Sequence, residues 1–250
     1  MTSTKRFSER AELYAKYRPG YPLGVLGILK AETGLCAKSI VADVGSGTGI
    51  SSRFFAPHVE LVYAIEPNAE MRAVAEREEP ANVVSVDGTA EATGLVSKAV
   101  DLVIAANAFH WFNSNAARTE FRRILKPVTG VVVLMWNMRA KDSSPLVAEY
   151  EQLLKDFGTD YSPTLMSDNW RAPAADFFGA GKHERRALPN HQEFDLEGFR
   201  GRLLSASYAP LPGAEKHEPM MARLGEIFEK YQVDGQVRFD YETQVYWGKI

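Results

Sequence analysis

Apolar and polar positions along the chain fall into two alternating rhythms. Short, continuously apolar runs rich in Val and Ile sit at 40–44, 61–65, 83–86, 101–106 and 131–136. Such runs, apolar on both faces, are expected of parallel strands buried beneath helices. Between them the spacing turns helical, predicting helices over about 49–57, 68–78 and 114–125, with a shorter piece at 90–97. Pro127 and Gly130 end the last of these. Two helices precede the first strand. One covers 8–17, with Ser8 as N-cap and Glu9 in the first turn, and is broken by Arg18-Pro19-Gly20-Tyr21-Pro22. The other starts at Pro22 and ends at Gly34. A repeated β-α order with right-handed crossovers gives a doubly wound, mostly parallel α/β sheet.

After Asn137 the rhythm changes. Residues 145–157 and 164–180 read as helices or turns rich in aromatics, 183–188 as a strand, and 196–208 as a helix ended by Pro210 and Pro212. Residues 217–231 read as a helix, and 237–247 show the period-two alternation of a strand. The expected organisation is a single domain with a seven-stranded sheet, an antiparallel C-terminal strand and helical cap segments. Within it, 1–39 form N-terminal cover helices, 40–137 a ligand-binding core, 138–235 cap segments with the sixth strand, and 236–250 the terminal strand.

Composition narrows the partners. With 250 residues, 45% apolar, 24% charged and a net charge of −3, the chain has the makeup of a globular protein and no general attraction to nucleic acid or anionic membranes. No apolar run approaches the length of about 20 residues needed to span a bilayer, and 1–10 have no signal-peptide character. A single cysteine, Cys36, excludes an internal disulfide and is read as a half-buried packing residue. A cytoplasmic protein, monomer or homodimer, is expected.

The most informative stretch is Val41-Ala42-Asp43-Val44-Gly45-Ser46-Gly47-Thr48-Gly49. A buried strand enters a glycine turn and then a helix, at the carboxyl end of the sheet where open α/β folds bind ligands. Gly45 suits the tight turn, and Gly47 lets a ligand approach the backbone. Dinucleotide loops prefer G-x-G-x-x-G. Here the third glycine comes one residue early, at Gly49, and Ile50 occupies the dinucleotide position. Asp43, two residues before the first glycine, points toward a cationic ligand. Glu66, at the end of the second strand, suits the paired hydroxyls of a ribose. Asp87 and Gly88 end the third strand.

Residues 40–137 resemble the class I S-adenosylmethionine-dependent methyltransferases, a Rossmann-like fold. The likeness rests on VADVGSGTG, AIEPNAEM, VDGTAEA, VDLVIAANAFHWF and RRILKPVTGVVVLMW. The N-terminal FSERAELYAKYRPGYP and the run AFHWF resemble the small-molecule, type 11 subgroup that includes trans-aconitate methyltransferase-like proteins. The family commonly has Pro-Gly-Gly before the fifth strand, where this chain has Pro127-Val128-Thr129-Gly130. The resemblance implies S-adenosyl-L-methionine as cofactor. It places Gly45, Ser46, Gly47 and Gly49 in the loop under the methionine part, with Asp43 supporting that loop. Glu66 would hold the ribose, and Pro67 and Met71 would pack on the adenine. Asp87, Gly88 and Ala90 would meet the ring edge, and Asn107 would line the methyl end. Tyr14 and Arg18 would close over the cofactor, with Arg18 toward its carboxylate.

Methyl transfer from a sulfonium needs alignment and exclusion of water rather than a metal, and the five histidines show no metal-ligand spacing. For a hydroxyl or amine acceptor His110 is the candidate base, although orienting a loop or hydrogen-bonding the backbone is the favoured role for it. For a carboxylate acceptor no base is needed, and Arg18, Arg139, Arg171 and Arg202 are possible partners, the last three expected at the solvated surface. Trp111, Phe112 and Trp136 are expected to wall the cleft or pack in the core, and Tyr208 to reach the substrate pocket or simply pack. The basic positions 118, 122, 123 and 126 are read as a solvated helix face. The rival readings are an NAD-dependent oxidoreductase and a non-catalytic cofactor-binding module.

Overall fold

The structure is a computed structural model and describes residues 10–140, 144–159, 161, 171–179 and 182–250. The apolar runs form strands β1 (Ile40–Val44), β2 (Leu61–Ile65), β3 (Val83–Val86), β4 (Leu102–Ala106) and β5 (Val131–Arg139). With β6 (His183–Phe194) and β7 (Val237–Gly248) they make one seven-stranded sheet in the order β3-β2-β1-β4-β5-β7-β6. The first five strands pair in parallel; β7 runs antiparallel to both β5 and β6.

Alternation along β5 shows why the runs are apolar on both sides. Val132, Leu134 and Trp136 enter one core with Phe121 and Phe177, while Val131, Val133 and Met135 enter the opposite one with Leu26, Leu29 and Phe55. Each face is covered by helices. α1 (Ala11–Tyr17) and α2 (Gly24–Thr33) precede the sheet, and Gly34 ends α2 in the left-handed conformation at φ 76°. α3 (Ile50–Phe55) and α4 (Ala69–Ala75) follow β1 and β2. α5 (Ser114–Ile124) follows β4, with the Asn113 side chain capping Ala116 N. α6 (Pro145–Phe157), α7 (Arg171–Phe178), α8 (Leu196–Leu204) and α9 (His217–Tyr231) complete the described helices.

The long strands build the cap. β4 ends opposite Met135, but β5 continues to Arg139, still paired with β7 through Arg139 and Tyr241. β6 and β7 pair over twelve residues, from His183 with Gly248 to Phe194 with Val237. Strand 183–188 of the sequence reading is therefore twice as long as expected, and β5 is three residues longer. A third core unites β7 (Phe239, Tyr241) with α6 (Tyr150, Leu154), α8 (Phe199, Leu203) and α9 (Leu224, Ile227) beside this extension. Ser8 and residues 162–170 lie outside the described residues.

Three expectations are corrected. Cys36 is exposed rather than half-buried. No helix forms at 90–97, because competing side-chain bonds hold that segment as a loop. Glu120 of α5, 8% exposed, accepts from Thr93 N at 2.9 Å and Thr93 Oγ1 at 2.6 Å. Arg123 clamps the same carboxylate through Nε at 2.7 Å and Nη2 at 2.6 Å, and also donates to Leu95 O at 2.7 Å. Arg123 is thus a strut and not part of a free basic face; Lys126 likewise pairs with Asp101 at 2.9 Å.

The Arg123 guanidinium, outweighing burial and aided by Thr93, holds the Glu120 carboxyl down to about 2 from its ordinary 4.5. A depressed acid stabilises the fold above its unfolded pKa and loses that contribution as pH falls through the folded value. Glu120→Gln is therefore expected to be destabilised by about 1.5–3 kcal/mol at pH 7. The gap from the parent should close between pH 4.5 and 2. Denaturant titrations across that range test this, and a gap independent of pH would contradict it.

Candidate active site

At the carboxyl end of β1 the chain turns through three left-handed glycines, Gly45, Gly47 and Gly49, at φ 71°, 57° and 81°. Their surroundings differ. A Cβ on Gly45 would lie 2.6 Å from Ala108 Cβ, so that glycine permits close approach to the end of β4. A Cβ on Gly49 would meet Arg53 Nη1 at 2.8 Å and Ala75 Cβ at 3.2 Å; Gly49 packs behind the loop and does not line the cavity. Above Gly47 nothing lies within 4 Å, and Gly47 lines a cavity of about 480 Å³. This volume lies within the roughly 300–1,000 Å³ of small-molecule sites.

Two acids fix the loop from beneath and beside. Asp43, fully buried, accepts from Ser51 Oγ at 2.7 Å and Ser52 Oγ at 2.6 Å on Oδ2. Its Oδ1 has no hydrogen-bond partner among the described residues. Burial, opposed by the two serine hydroxyls, pushes its pKa up to about 6. Glu66 accepts from Gly47 N at 3.0 Å on Oε2 and from Asn68 N at 2.9 Å on Oε1. It too is raised by burial, against the bonds from Asn68 and Gly47. Glu66 lines the cavity, as do Ser46 on the loop and Pro67, Met71 and Ala90 on the next two connections.

Asp87 and Gly88 depart from the sequence expectation. The Asp87 side chain is 73% exposed and pairs with Arg72 Nη1 at 3.1 Å, outside the cavity lining. A Cβ on Gly88 would meet Thr93 O at 2.8 Å, so Gly88 serves the close packing of the 89–97 loop. The cavity wall on this side is formed instead by Thr89, Ala90 and Glu91.

The end of β4 supplies the next wall. Asn107 adopts φ 55°, a left-handed conformation that Asn tolerates. Its Nδ2 donates to Tyr21 Oη at 2.8 Å and its Oδ1 accepts from Asn137 N at 3.1 Å. His110, Trp111 and Phe112 follow, and Trp136 joins them from β5. The cation sites of the N-terminal cover lie opposite. Tyr14 and Arg18 both line the cavity, with the Arg18 guanidinium 4.8 Å from the Tyr14 ring centroid and Nη2 donating to Ser205 O at 3.1 Å. The cover is fastened to α8. Arg10 donates to the carbonyls of Ala206 and Ala209, and Gly201 leaves room for Tyr17, whose ring would lie 2.1 Å from an added Cβ.

The far wall corrects the expectation that Arg139 and Arg202 are solvated. Both are buried and both line the cavity. Arg139 reaches Glu151 Oε2 at 3.2 Å (Nε) and 3.0 Å (Nη2), Tyr208 Oη at 3.0 Å and Tyr161 Oη at 2.8 Å. Arg202 Nε donates to Tyr241 Oη at 2.8 Å, while Nη1 is buried without a hydrogen-bond partner among the described residues. Burial raises the Tyr208 phenol, but Arg139, Arg202 and Arg18 outweigh it and the net shift is downward. The side chain of Arg171 lies outside the described residues. Sequence reasoning missed Tyr21, Asn137, Glu151 and Tyr161; only the Tyr21 position, inside RPGYP, carried a motif that could have drawn attention. Among the described residues no group of His, Cys, Asp and Glu is placed to hold a metal ion, and no helix is long and apolar enough to cross a membrane.

Comparison with known proteins gives the family and the shared fold. Residues 42–134 match the family described as a methyltransferase domain. An uncharacterized methyltransferase-like protein of Schizosaccharomyces pombe is 30% identical over 249 residues, covering 97% of this chain and 94% of the relative. The fold is shared with a proposed type II methyltransferase from Anaeromyxobacter dehalogenans, with a TM-score of 0.72 and 23% identity over 93% of this chain and 98% of that one. It is shared also with an S-adenosylmethionine-dependent methyltransferase of Thiobacillus denitrificans solved with S-adenosyl-L-homocysteine. There the TM-score is 0.52, with 16% identity over 96% of this chain and 97% of that one. The chain belongs to the class I S-adenosylmethionine-dependent methyltransferases.

His110 offers a test of the electrostatics. Its ring is open to the cavity, yet the surrounding walls and, secondarily, Arg18 push its pKa down from 6.5 to about 4. Arg18→Gln removes a neighbouring positive charge, so the His110 pKa should rise. Nuclear magnetic resonance titration of the imidazole reads the shift, and an ordinary value of 6.5 in the parent would contradict the arrangement.

Proposed function

We propose that the enzyme transfers the methyl group of S-adenosylmethionine to a small-molecule acceptor within the 480 Å³ cavity at the carboxyl edge of the sheet. The observation that carries this reading is the state of Glu66. Each carboxylate oxygen accepts one main-chain N–H, from Gly47 and from Asn68, and so keeps acceptor capacity toward the cavity. That is what two vicinal ribose hydroxyls require. The open space above Gly47 leaves room for the methionine portion, and Asp43, bonded to Ser51 and Ser52 beneath the turn, holds the loop in place. Arg18 serves the carboxylate of the amino-acid end, and Tyr14 covers it. Pro67, Met71, Thr89 and Ala90 line the adenine end, and Asn107 the methyl end. Asp87 and Gly88 take no direct part.

When bound, the cofactor would supply a methyl group on a positively charged sulfur, open to displacement by an acceptor lone pair with the thioether sulfur as leaving group. The chain contributes alignment and dryness. Trp111, Phe112 and Trp136 wall the reacting end, and the cover held by Arg10 and Tyr17 restricts water. His110 is neutral near pH 7, because its pKa is pushed down to about 4. It can hydrogen-bond a hydroxyl acceptor and is a weak proton acceptor; a carboxylate acceptor has no proton to lose. A cavity of about 480 Å³ beneath a fastened cover favours a metabolite over a polymer.

Glu66→Ala removes the paired acceptors, and since a hydrogen bond to a charged group contributes about 1.5–3 kcal/mol, cofactor affinity should fall by more than about tenfold. Glu66→Gln, which keeps shape but not charge, should fall between the two. Calorimetric titration with S-adenosylhomocysteine measures both, and unchanged affinity in Glu66→Ala would contradict the assignment. Formation of S-adenosylhomocysteine across a panel of small acceptors tests the reaction itself. Tight cofactor binding with no turnover on any acceptor would point to a binding module.

A further inference from the structure

A chain of hydrogen bonds runs from the last two strands to the cavity, and its donors all point the same way. Thr243 of β7, fully buried, donates from Oγ1 to Asn137 Oδ1 at 2.6 Å. Asn190 of β6 donates to the same oxygen at 3.2 Å and to Gly20 O at 2.9 Å. With Oδ1 so filled, the Asn137 amide presents Nδ2 to the cover, donating to Gly20 O at 3.0 Å and Pro19 O at 3.3 Å. The main-chain N–H of Asn137 can only donate, and it meets Asn107 Oδ1 at 3.1 Å. That fixes the second amide, so Asn107 Nδ2 is the donor to Tyr21 Oη at 2.8 Å. The Tyr21 hydroxyl is therefore an acceptor toward Asn107, and its own proton is left for another partner. Among the described residues Tyr21 Oη makes no second hydrogen bond, and Tyr21 lines the cavity.

Two supports thus converge on one side chain. Asn137 and Asn190 hold the carbonyls of the turn just before Tyr21, and Asn107 holds its hydroxyl. The ring rests against Phe54 of α3, with centroids 5.8 Å apart. Burial, with Tyr14 and Asp43 adding to it and Asn107 opposing, raises the phenol well above its ordinary 10, so the group stays protonated at neutral pH. Tyr14 in turn lies under the Arg18 guanidinium, 4.8 Å from the ring centroid. On the cofactor reading above, the amino-acid end brings an ammonium, a sulfonium and a carboxylate to this part of the cavity. An ammonium has no lone pair to offer and a sulfonium is positively charged, whereas a carboxylate only accepts. We propose that the Tyr21 hydroxyl donates a hydrogen bond to the methionine carboxylate, as an uncharged partner to Arg18, and that Asn107, Asn137 and Asn190 are positioning residues that aim it. This proposal rests on the cofactor reading and adds to it a binding residue and the chain that orients it. Asn190 does not line the cavity, so its effect on the ligand runs through the turn that carries Tyr21.

The test compares two ligands on the whole protein by calorimetric titration: S-adenosylhomocysteine, and its decarboxylated analogue, which keeps the ammonium. The parent should bind S-adenosylhomocysteine tighter than the analogue by about tenfold or more, because charge-assisted bonds to the carboxylate are lost in the analogue. Tyr21→Phe, which keeps the ring against Phe54, should weaken S-adenosylhomocysteine by about tenfold and the analogue by less than about twofold. Asn190→Ala should weaken S-adenosylhomocysteine by about threefold in the parent and add nothing in the Tyr21→Phe background, since residues acting through one contact are not additive. A merely structural loss at Asn190 would weaken both ligands and would add to the effect of Tyr21→Phe; that result would overturn the positioning chain. Equal weakening of both ligands by Tyr21→Phe would assign the hydroxyl to another part of the cofactor, and weakening of neither would leave it without a ligand role; each overturns the proposal. If Asn190→Ala folds poorly, the comparison of the two ligands in Tyr21→Phe decides the matter. Failure of the parent to bind S-adenosylhomocysteine at all would instead remove the cofactor reading.

Discussion

One carboxylate joins the two turns on which the site is built. Glu66 stands at the end of β2, yet it accepts the N–H of Gly47 in the turn after β1 and that of Asn68 at the start of α4. The bond to Gly47 is possible because left-handed glycines aim the main chain of that turn toward β2, where Gly45 N and Ser46 N also bond to Ile65 O. Two adjacent strand ends are thereby locked in one geometry, and the carboxylate that locks them faces the cavity. Burial alone would favour the protonated acid; the two main-chain donors favour the carboxylate. Loop geometry and the proposed ribose contact therefore rest on one carboxylate, which is why a shape-conserving substitution matters beside a truncating one.

The opposite half of the cavity depends on a different constraint, the extension of β5, β6 and β7 past the ends of the parallel strands. Pairing of Arg139 with Tyr241 carries an arginine out to the cap, and the third hydrophobic core presses α6 and α8 against it. Glu151 from α6 and Arg202 from α8 then meet there. Guanidinium groups withdrawn from water in this way are tolerable only when hydrogen-bonded or matched by an anion. Arg139 is matched by Glu151, Tyr161 and Tyr208, whereas Arg202 is only partly so.

The sheet and the loop were legible in the sequence because their signals are local. Val- and Ile-rich runs report burial on both faces, and Gly45, Gly47 and Glu66 belong to short motifs at two strand ends that a few adjacent residues make recognisable. The arginines of the far wall were not legible, since Arg139 and Arg202 become neighbours of one cavity only through strand register and helix packing across 63 positions of chain. Asp87 shows the converse: an acid at a strand end looks like a ligand group, whereas here its side chain pairs with Arg72 and lies outside the cavity lining. The helix expected at 90–97 fails for a related reason, because Glu120 from a later element captures both donors of Thr93.

The central claim is that Glu66 reads the ribose while the glycine turn carries the amino-acid end. A crystal structure of the protein with S-adenosylhomocysteine tests it most directly. Both ribose hydroxyls should lie within hydrogen-bond distance of the two Glu66 oxygens, with the homocysteine chain crossing above Gly47 toward Arg18. A ribose bound away from Glu66, or an amino-acid end directed at the Thr89–Glu91 side, would contradict it.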